Sequence, residues 1–400
     1  MIEKSLILKI FEAAYMQRWN DKIRPMDIFE LDKQGHKMFI AYFLGKFQEK
    51  DPELDWSQII EGGIFELLYR IVITDLKPSI FYKIKANPIK HSRLNQWVYQ
   101  NLEEVLKPLG KDFLIRFQKY FEESDNNVNK RILSAAHVYS SFWEYNLLLP
   151  FNQNAYDKKE IEEGFQKRLE QYYDLEGMKQ LALYQNYRQF IDLCGQLRFQ
   201  YRWSNLHRVP KTSVLGHSLF VAVFSYFFSI EEKYAPKRIY NNFFTGLFHD
   251  LPEILTRDVI SPVKRSVEGM EELIKEYEKE QLEKWIYSLL PPFFIEEIRL
   301  FAETEFENSI LENGSLKTVS LCQLNEKYNL DRFSPRDGKL VKEMDELAAF
   351  IEAYEAVENG ATSPKFKEAY QRIREKTLSN PTHGAGLEKI YHSFINEEVK

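Results

Sequence analysis

The chain has 400 residues, more than a single hydrophobic core normally supports, so at least two domains are expected. Its 16 Gly and 15 Pro are few turn formers for that length, which argues against an all-β sandwich or barrel and for long helices. With 44% apolar and 28% charged residues and a net charge of −6, the composition excludes wholesale disorder and offers no basic field for a nucleic-acid backbone.

Helical periodicity begins at once: Leu6, Ile7, Ile10, Phe11 and Ala14 recur at i, i+3, i+4 spacing. Glu3 and Glu12 flank this run without a cleavage pattern, so it does not read as a secretory signal. The best boundary lies near Leu175–Met178, where Asp174, Glu176 and Gly177 separate two charged helical stretches, giving domains of 1–176 and 177–400. The apolar run near Leu219–Ile230 contains Ser225 and Ser229 and is too short to span a bilayer. In 268–284 a dense charge run keeps Leu273, Tyr277 and Leu282 as an apolar stripe, the pattern of a solvated helix face. Leu340, Val341, Met344, Leu347 and Ile351 repeat the helical spacing near the end. No segment offers sustained strand alternation or an Asn-Gly hairpin turn, so the expected fold class is all-α. Two cysteines, Cys194 and Cys322, make a disulfide framework improbable and the cytoplasm the expected location.

Internal repetition is visible. Gln17-Arg18-Trp19-Asn20 resembles Tyr201-Arg202-Trp203-Ser204, and the segment from Gly35-His36 to Ala41 resembles that from Gly216-His217 to Ala222. Later, the run ending in His137 aligns with the run ending in Asp345, and Phe142–Tyr145 parallels Phe350–Tyr354. Finally, Phe165-Gln166-Lys167 echoes Tyr370-Gln371-Arg372. Several weak matches in one order read as two copies of a helical domain, a tandem pair that could act as an internal pseudo-dimer.

The second copy concentrates the chemistry. His217, the adjacent pair His249-Asp250, and Asp345 combine imidazoles and carboxylates, a donor set suited to one divalent ion such as Mn, Co, Fe, Zn or Mg. Adjacent His and Asp side chains on a helix point about 100° apart. They share an ion only at a helix end, and Pro252 fits such a break. Glu253 and Asp258 follow closely, then Lys264. Upstream, Arg202-Trp203 pairs a permanent cation with a large ring. A single His on an apolar helix is usually a core residue, and Glu253 and Asp258 also suit helix N-termini. The ordered set outweighs those separate readings for the four ligands. For Trp203 a core role and a substrate role stand side by side. His207, His91, His383 and His392 read as surface residues.

His217, His249-Asp250-x-x-Glu253, Leu255-Thr256-x-Asp258, Pro262-Val263-Lys264 and Asp345, preceded by Arg202-Trp203, resemble the HD superfamily of metal-dependent phosphohydrolases. More closely, they resemble its bacterial 5′-deoxynucleotidases, over roughly residues 187–360. The resemblance implies an all-helical fold and hydrolysis of deoxyribonucleoside 5′-monophosphates to nucleoside and phosphate. It implies His217, His249, Asp250 and Asp345 as metal ligands and Glu253 and Asp258 as catalytic carboxylates. It further implies Arg202 and Lys264 as phosphate contacts and Trp203 against the sugar. One departure stands out: the family has an acidic residue directly before the first His, and this chain has Gly216.

In the first copy, His36 aligns with the first ligand and Arg18-Trp19 with the substrate pair. The His-Asp place falls around Leu68-Tyr69-Arg70-Ile71, Asp75 aligns with Asp258, and His137 stands at the place of Asp345. That half is expected to hold no catalytic metal and to serve either as a structural partner or as a retained pocket for a regulatory nucleotide. The expected function is thus metal-dependent phosphohydrolysis of a small nucleotide, in a chain that binds neither nucleic acid nor membrane and is either a homodimer or an internal pseudo-dimer. The alternatives are hydrolysis of a nucleoside triphosphate, alarmone or cyclic nucleotide, or nucleotide sensing with little turnover.

Overall fold

The computed structural model describes residues 2–74, 76–123, 126–257, 269–379 and 385–394. The chain divides into two units: Met1–Ala41, Gln48–Tyr173 and His383–Lys400 in unit 1, and Tyr42–Phe47 with Asp174–Thr382 in unit 2. The units meet in sequence between Tyr173 and Asp174. The C-terminal helix, expected as a tail of the second domain, is grouped with unit 1, and six residues of the first half are grouped with unit 2.

Unit 1 is built on α1 (Lys4–Phe11), most of α2 (Glu30–Phe47), α3 (Trp56–Ile73) and α4 (Val128–Leu148). Asp55 caps α3 by accepting from the Ser57 amide at 2.8 Å, and Asn127 caps α4 by accepting from the Lys130 amide at 2.8 Å. Such caps satisfy backbone donors that a helix start leaves open.

The framework of unit 2 is α5 (Val214–Glu231), α6 (Pro236–Phe248) and α7 (Gly338–Glu358). Ser213 caps α5 by accepting from the Gly216 amide at 2.9 Å, and Pro236 opens α6, where a missing N–H costs nothing. α5 has the length and apolarity of a membrane span, with mean hydropathy 1.5, contrary to the sequence expectation, but 89% of it is buried among protein side chains. Its hydrophobicity therefore serves a core. α5 and α6 pack closely because Gly246 lacks a side chain: a Cβ there would lie 2.8 Å from the Ala222 backbone.

The fold is mostly helical, with one exception that the sequence reading did not foresee. A three-stranded antiparallel sheet has the order β2-β1-β3, with β1 Asn308–Glu312, β2 Ser315–Thr318 and β3 Arg336–Asp337. The turn between β1 and β2 is Asn313-Gly314, an Asn-Gly hairpin turn that the expectation of none overlooked; both residues have positive φ, 52° and 75°. β3 leads straight into α7. The Asp337 carboxylate accepts from the Leu340 amide at 3.1 Å and pairs with Arg238 of α6 at 2.7 Å, both side chains fully buried. The sheet thereby sets where α7 starts, and so where Asp345 stands.

Candidate metal centre and phosphate site

His217 lies in the first turn of α5, fully buried, and His249 is the residue that ends α6, with Asp250 in the turn after it. The helix end lets neighbouring His and Asp side chains converge, as the spacing argument required. Asp345 comes from α7. Ligand atoms of His217, His249 and Asp345 lie within 4.8 Å of one another. Asp250 Oδ2 is 3.2 Å from His249 Nε2 and 3.9 Å from His217 Nε2. His249 Nδ1 meets the Gly246 carbonyl at 2.8 Å, which turns Nε2 toward the cluster. His249 Nε2 and Asp250 Oδ2 are both buried without a hydrogen-bond partner among the described residues. Two orphaned donor atoms of ligand type, aimed at one point, are what a divalent cation satisfies.

Glu352, which the sequence reading did not single out, organises the back of the site. Its fully buried carboxylate lies 3.2 Å from His217 Nδ1 and accepts from Arg202 Nε at 3.2 Å and Trp203 Nε1 at 2.8 Å. The backbone carbonyl of Glu352 also takes a hydrogen bond from Arg208 at 3.2 Å. Burial opposes its charge, but Arg202, His217 and Arg208 hold the carboxyl well below the usual range. Glu352 follows Asp345 by seven positions, two turns along the same face of α7, and that spacing was the available signal. It supplies a carboxylate to His217 from another element where Gly216 offers none.

His217 Nε2 also meets Asp345 Oδ1 at 2.9 Å. Burial and Arg202 push the His217 pKa down, while Glu352 and Asp345 outweigh them and raise it to about 8. Asp250 and Asp345 are held down in spite of burial, Asp250 chiefly by His249 and Asp345 chiefly by Lys342. Lys342 donates to Asp345 Oδ2 at 2.7 Å, and its ammonium lies 4.4 Å from the Phe306 ring centroid. Neither Lys342 nor Glu305 was read from sequence. The Glu305 carboxyl is raised above its ordinary value by burial, with the Asp250 charge opposing its ionisation.

Of the remaining expected residues, Glu253 is buried and opens the short helix Glu253–Thr256 just after Pro252. Its backbone carbonyl accepts from Gln200 at 2.7 Å. Arg202 NH1 lies 3.7 Å from Asp250 Oδ2, which places the guanidinium beside the ligand cluster. Trp203 is held by Glu352 on one edge and packs on Phe366 at 5.4 Å between centroids. Asp258 and Lys264 lie outside the described residues.

Unit 1 carries a cluster of its own. Arg18 Nε and Trp19 Nε1 both donate to Glu144 Oε2, at 2.9 and 3.0 Å, as Arg202 and Trp203 do to Glu352. Trp19 and Trp203 share an uncommon backbone, with φ of 58° and 57°. An isolated bridge joins Gln17 to Phe29 before α2, and another joins Tyr201 to Ser213 before α5. The two helices start at Glu30 and Val214, and the fourth residue is Lys33 in one and His217 in the other, with His36 three positions further on. The His36 ring packs edge-on against Trp143 at 4.8 Å. Lys33 Nζ lies 2.6 Å from His137 Nδ1, and Arg70 Nε lies 3.2 Å from Glu30 Oε2.

Comparison with known proteins covers the second half. Residues 194–374 match the family model of the HD domain. A 5′-deoxynucleotidase of Pasteurella multocida (strain Pm70) is 23% identical over 217 residues, covering 52% of this chain and 91% of that protein. The crystal structure of an HD-domain phosphohydrolase from Listeria innocua aligns with a TM-score of 0.36 and 19% identity, over 53% of this chain and 87% of that one. The ligand-type cluster on α5, α6 and α7 falls inside the matched segment, and residues 194–374 of this chain constitute an HD domain.

Proposed function

We propose that unit 2 hydrolyses the phosphomonoester of nucleoside 5′-monophosphates, deoxyribonucleotides foremost, to nucleoside and phosphate. The observation that carries this is the convergence of His217, His249, Asp250 and Asp345 around two buried, orphaned ligand atoms. These four residues would hold one divalent ion: Mn, Co, Fe, Zn or Mg. When bound, such an ion supplies Lewis acidity toward a phosphoryl oxygen and acidifies a water molecule.

The protein's own groups do the rest. Arg202, fixed through Nε by Glu352, presents its outer nitrogens toward the ligand cluster, in position for a phosphoryl oxygen. Glu352 orients His217 through Nδ1 and so aims Nε2 at the cluster. Glu253, buried three positions after Asp250, is the candidate to move the proton between water and the leaving 5′-oxygen, with Asp258 as its proposed partner. Trp203 walls the sugar side, and Lys264 is retained as a second phosphate contact. The substrate class is supported by the Pasteurella relative's name, which gives a 5′-deoxynucleotidase. A cytoplasmic enzyme acting on a small nucleotide, not on nucleic acid or a membrane, completes the proposal. We extend it to unit 1 as a second copy of the same domain without a catalytic metal, the pair forming an internal pseudo-dimer or a homodimer.

The test is phosphate release from a panel of nucleoside monophosphates with added divalent metal. Metal-dependent turnover in the parent, abolished in Asp250→Ala, is expected. Undiminished turnover in that variant would refute the metal site; metal binding with no turnover across the panel would refute the phosphatase reading.

A further inference from the structure

The cluster in unit 1 has lost the metal-ligand set and kept the residues beside it. At the place of His217 stands Lys33, fully buried, and at the place of Asp345 stands His137. An ammonium has three N–H donors, and a neutral imidazole nitrogen accepts one. Among the described residues, His137 Nδ1 is the hydrogen-bond partner of Lys33, and no carboxylate comes within 4.0 Å of its nitrogen. A buried ammonium with donor capacity left over is a costly arrangement unless an acceptor is supplied from outside. Burial and the nearby Lys37 and Arg18 push the Lys33 pKa well below its ordinary value, against the pull of Glu30 and Glu144.

The charged groups of the two clusters differ in kind. In unit 2 the ligand cluster itself is acidic: Asp250 and Asp345 stand beside the imidazoles, with Arg202 3.7 Å from Asp250 and Lys342 2.7 Å from Asp345. In unit 1, Arg18 and Arg70 pair with Glu30 and Glu144, and Lys33 and His137 meet where unit 2 has His217 and Asp345. Both clusters have a solvent-facing cation: the Arg18 and Arg70 side chains are 12% and 19% exposed, and that of Arg202 is 15% exposed. Trp19 stands beside Arg18 as Trp203 stands beside Arg202, tied to a buried glutamate in the same way.

We propose that the Lys33, Arg18, Arg70 and His137 cluster of unit 1 is a metal-independent site for the phosphate group of a nucleoside monophosphate, which it binds and does not hydrolyse. Lys33 takes over the positive charge that an ion would bring to unit 2, and Trp19 offers the adjoining nucleoside a ring. The phosphate site stands on unit 1 residues, whereas the nucleoside part of its ligand rests on the function proposed for unit 2, and the inorganic phosphate arm of the test separates the two.

The test is calorimetric titration of the full chain in Asp250→Ala background, with excess chelator, using deoxyadenosine monophosphate and inorganic phosphate as probes. Saturable binding of both, tighter for the nucleotide, is expected. Lys33→Met should weaken it tenfold or more, and so should Arg70→Gln, whose partly exposed side chain makes misfolding a lesser concern. A thermal unfolding midpoint unchanged from the parent reports that Lys33→Met and Arg70→Gln still fold. Absence of saturable binding in chelator, or binding by either variant as tight as by the parent, overturns the site. Binding of phosphate without the nucleotide overturns the nucleotide assignment.

Discussion

His217 is where one residue's surroundings decide a function. Its raised pKa, about 8, means that near neutral pH a proton occupies the pair it makes with Asp345, and an incoming cation has to displace that proton. Metal affinity should therefore fall about tenfold per pH unit below 8 and level off above it, which calorimetry across pH 6–9 would show. Replacing Glu352 by Gln removes a charge that raises this pKa, so the onset should move to lower pH. The same variant should lose on the order of 10- to 100-fold in metal affinity or turnover, the usual cost of removing a carboxylate behind a metal-bound histidine. A purely structural role for Glu352 would leave the pH onset in place. At this scale the four ligand-type residues were legible because their order and the Pro252 break carry geometric meaning. Glu352 was not, because a buried glutamate on an apolar helix declares its partners only once Arg202 and Trp203 are folded against it. Lys33 was not legible either, because the helix start that places it in the first turn of α2 follows a bridge between Gln17 and Phe29 that no local pattern marks.

Helices were the readable elements, since 3.6-residue periodicity survives in any sequence that buries one face. The run from Leu340 to Ile351 falls inside α7, and the run from Leu6 to Ala14 covers α1 and the 3-10 turn Glu12–Ala14 that follows it. The small sheet was lost because its strands are short and β2 is exposed throughout, so no alternation accompanies the Asn313-Gly314 turn. The contact between α5 and α6 was equally silent: nothing in the sequence marks Gly246 as touching the Ala222 backbone. Substituting Val at Gly246 should force the helices apart, costing about 1–3 kcal/mol from overpacking. It should also displace His249, whose Nδ1 is held by the Gly246 carbonyl. Thermal unfolding and metal titration would show both losses together, whereas a surface glycine with positive φ and open space around it, such as Gly360, replaced by Asn should affect neither.

At the scale of the whole chain, length and poverty in turn formers pointed to more than one helical unit, and the composition shift near residue 175 pointed to the break. What pattern could not show is that the units are not simple halves. The last turns of α2, Tyr42–Phe47, are grouped with unit 2, and there the Tyr42 hydroxyl donates to Glu297 at 2.8 Å. Phe43 stacks on Phe294 at 5.4 Å between ring centroids, and Lys46 pairs with Glu297 at 3.1 Å. Glu297 is kept ionised against burial by Lys237 and Lys46 and by the hydroxyls of Tyr240 and Tyr42. A fragment made of residues 177–400 would leave that carboxylate without two of its four partners and the Phe294 ring without its stacked neighbour. It should be poorly soluble when expressed alone and recover when residues 1–176 are supplied as a separate chain, measured as soluble yield and metal-dependent turnover. A single helix entered into both units means that the second half does not encode all of its own packing: six residues of it lie some 130 codons upstream of the break.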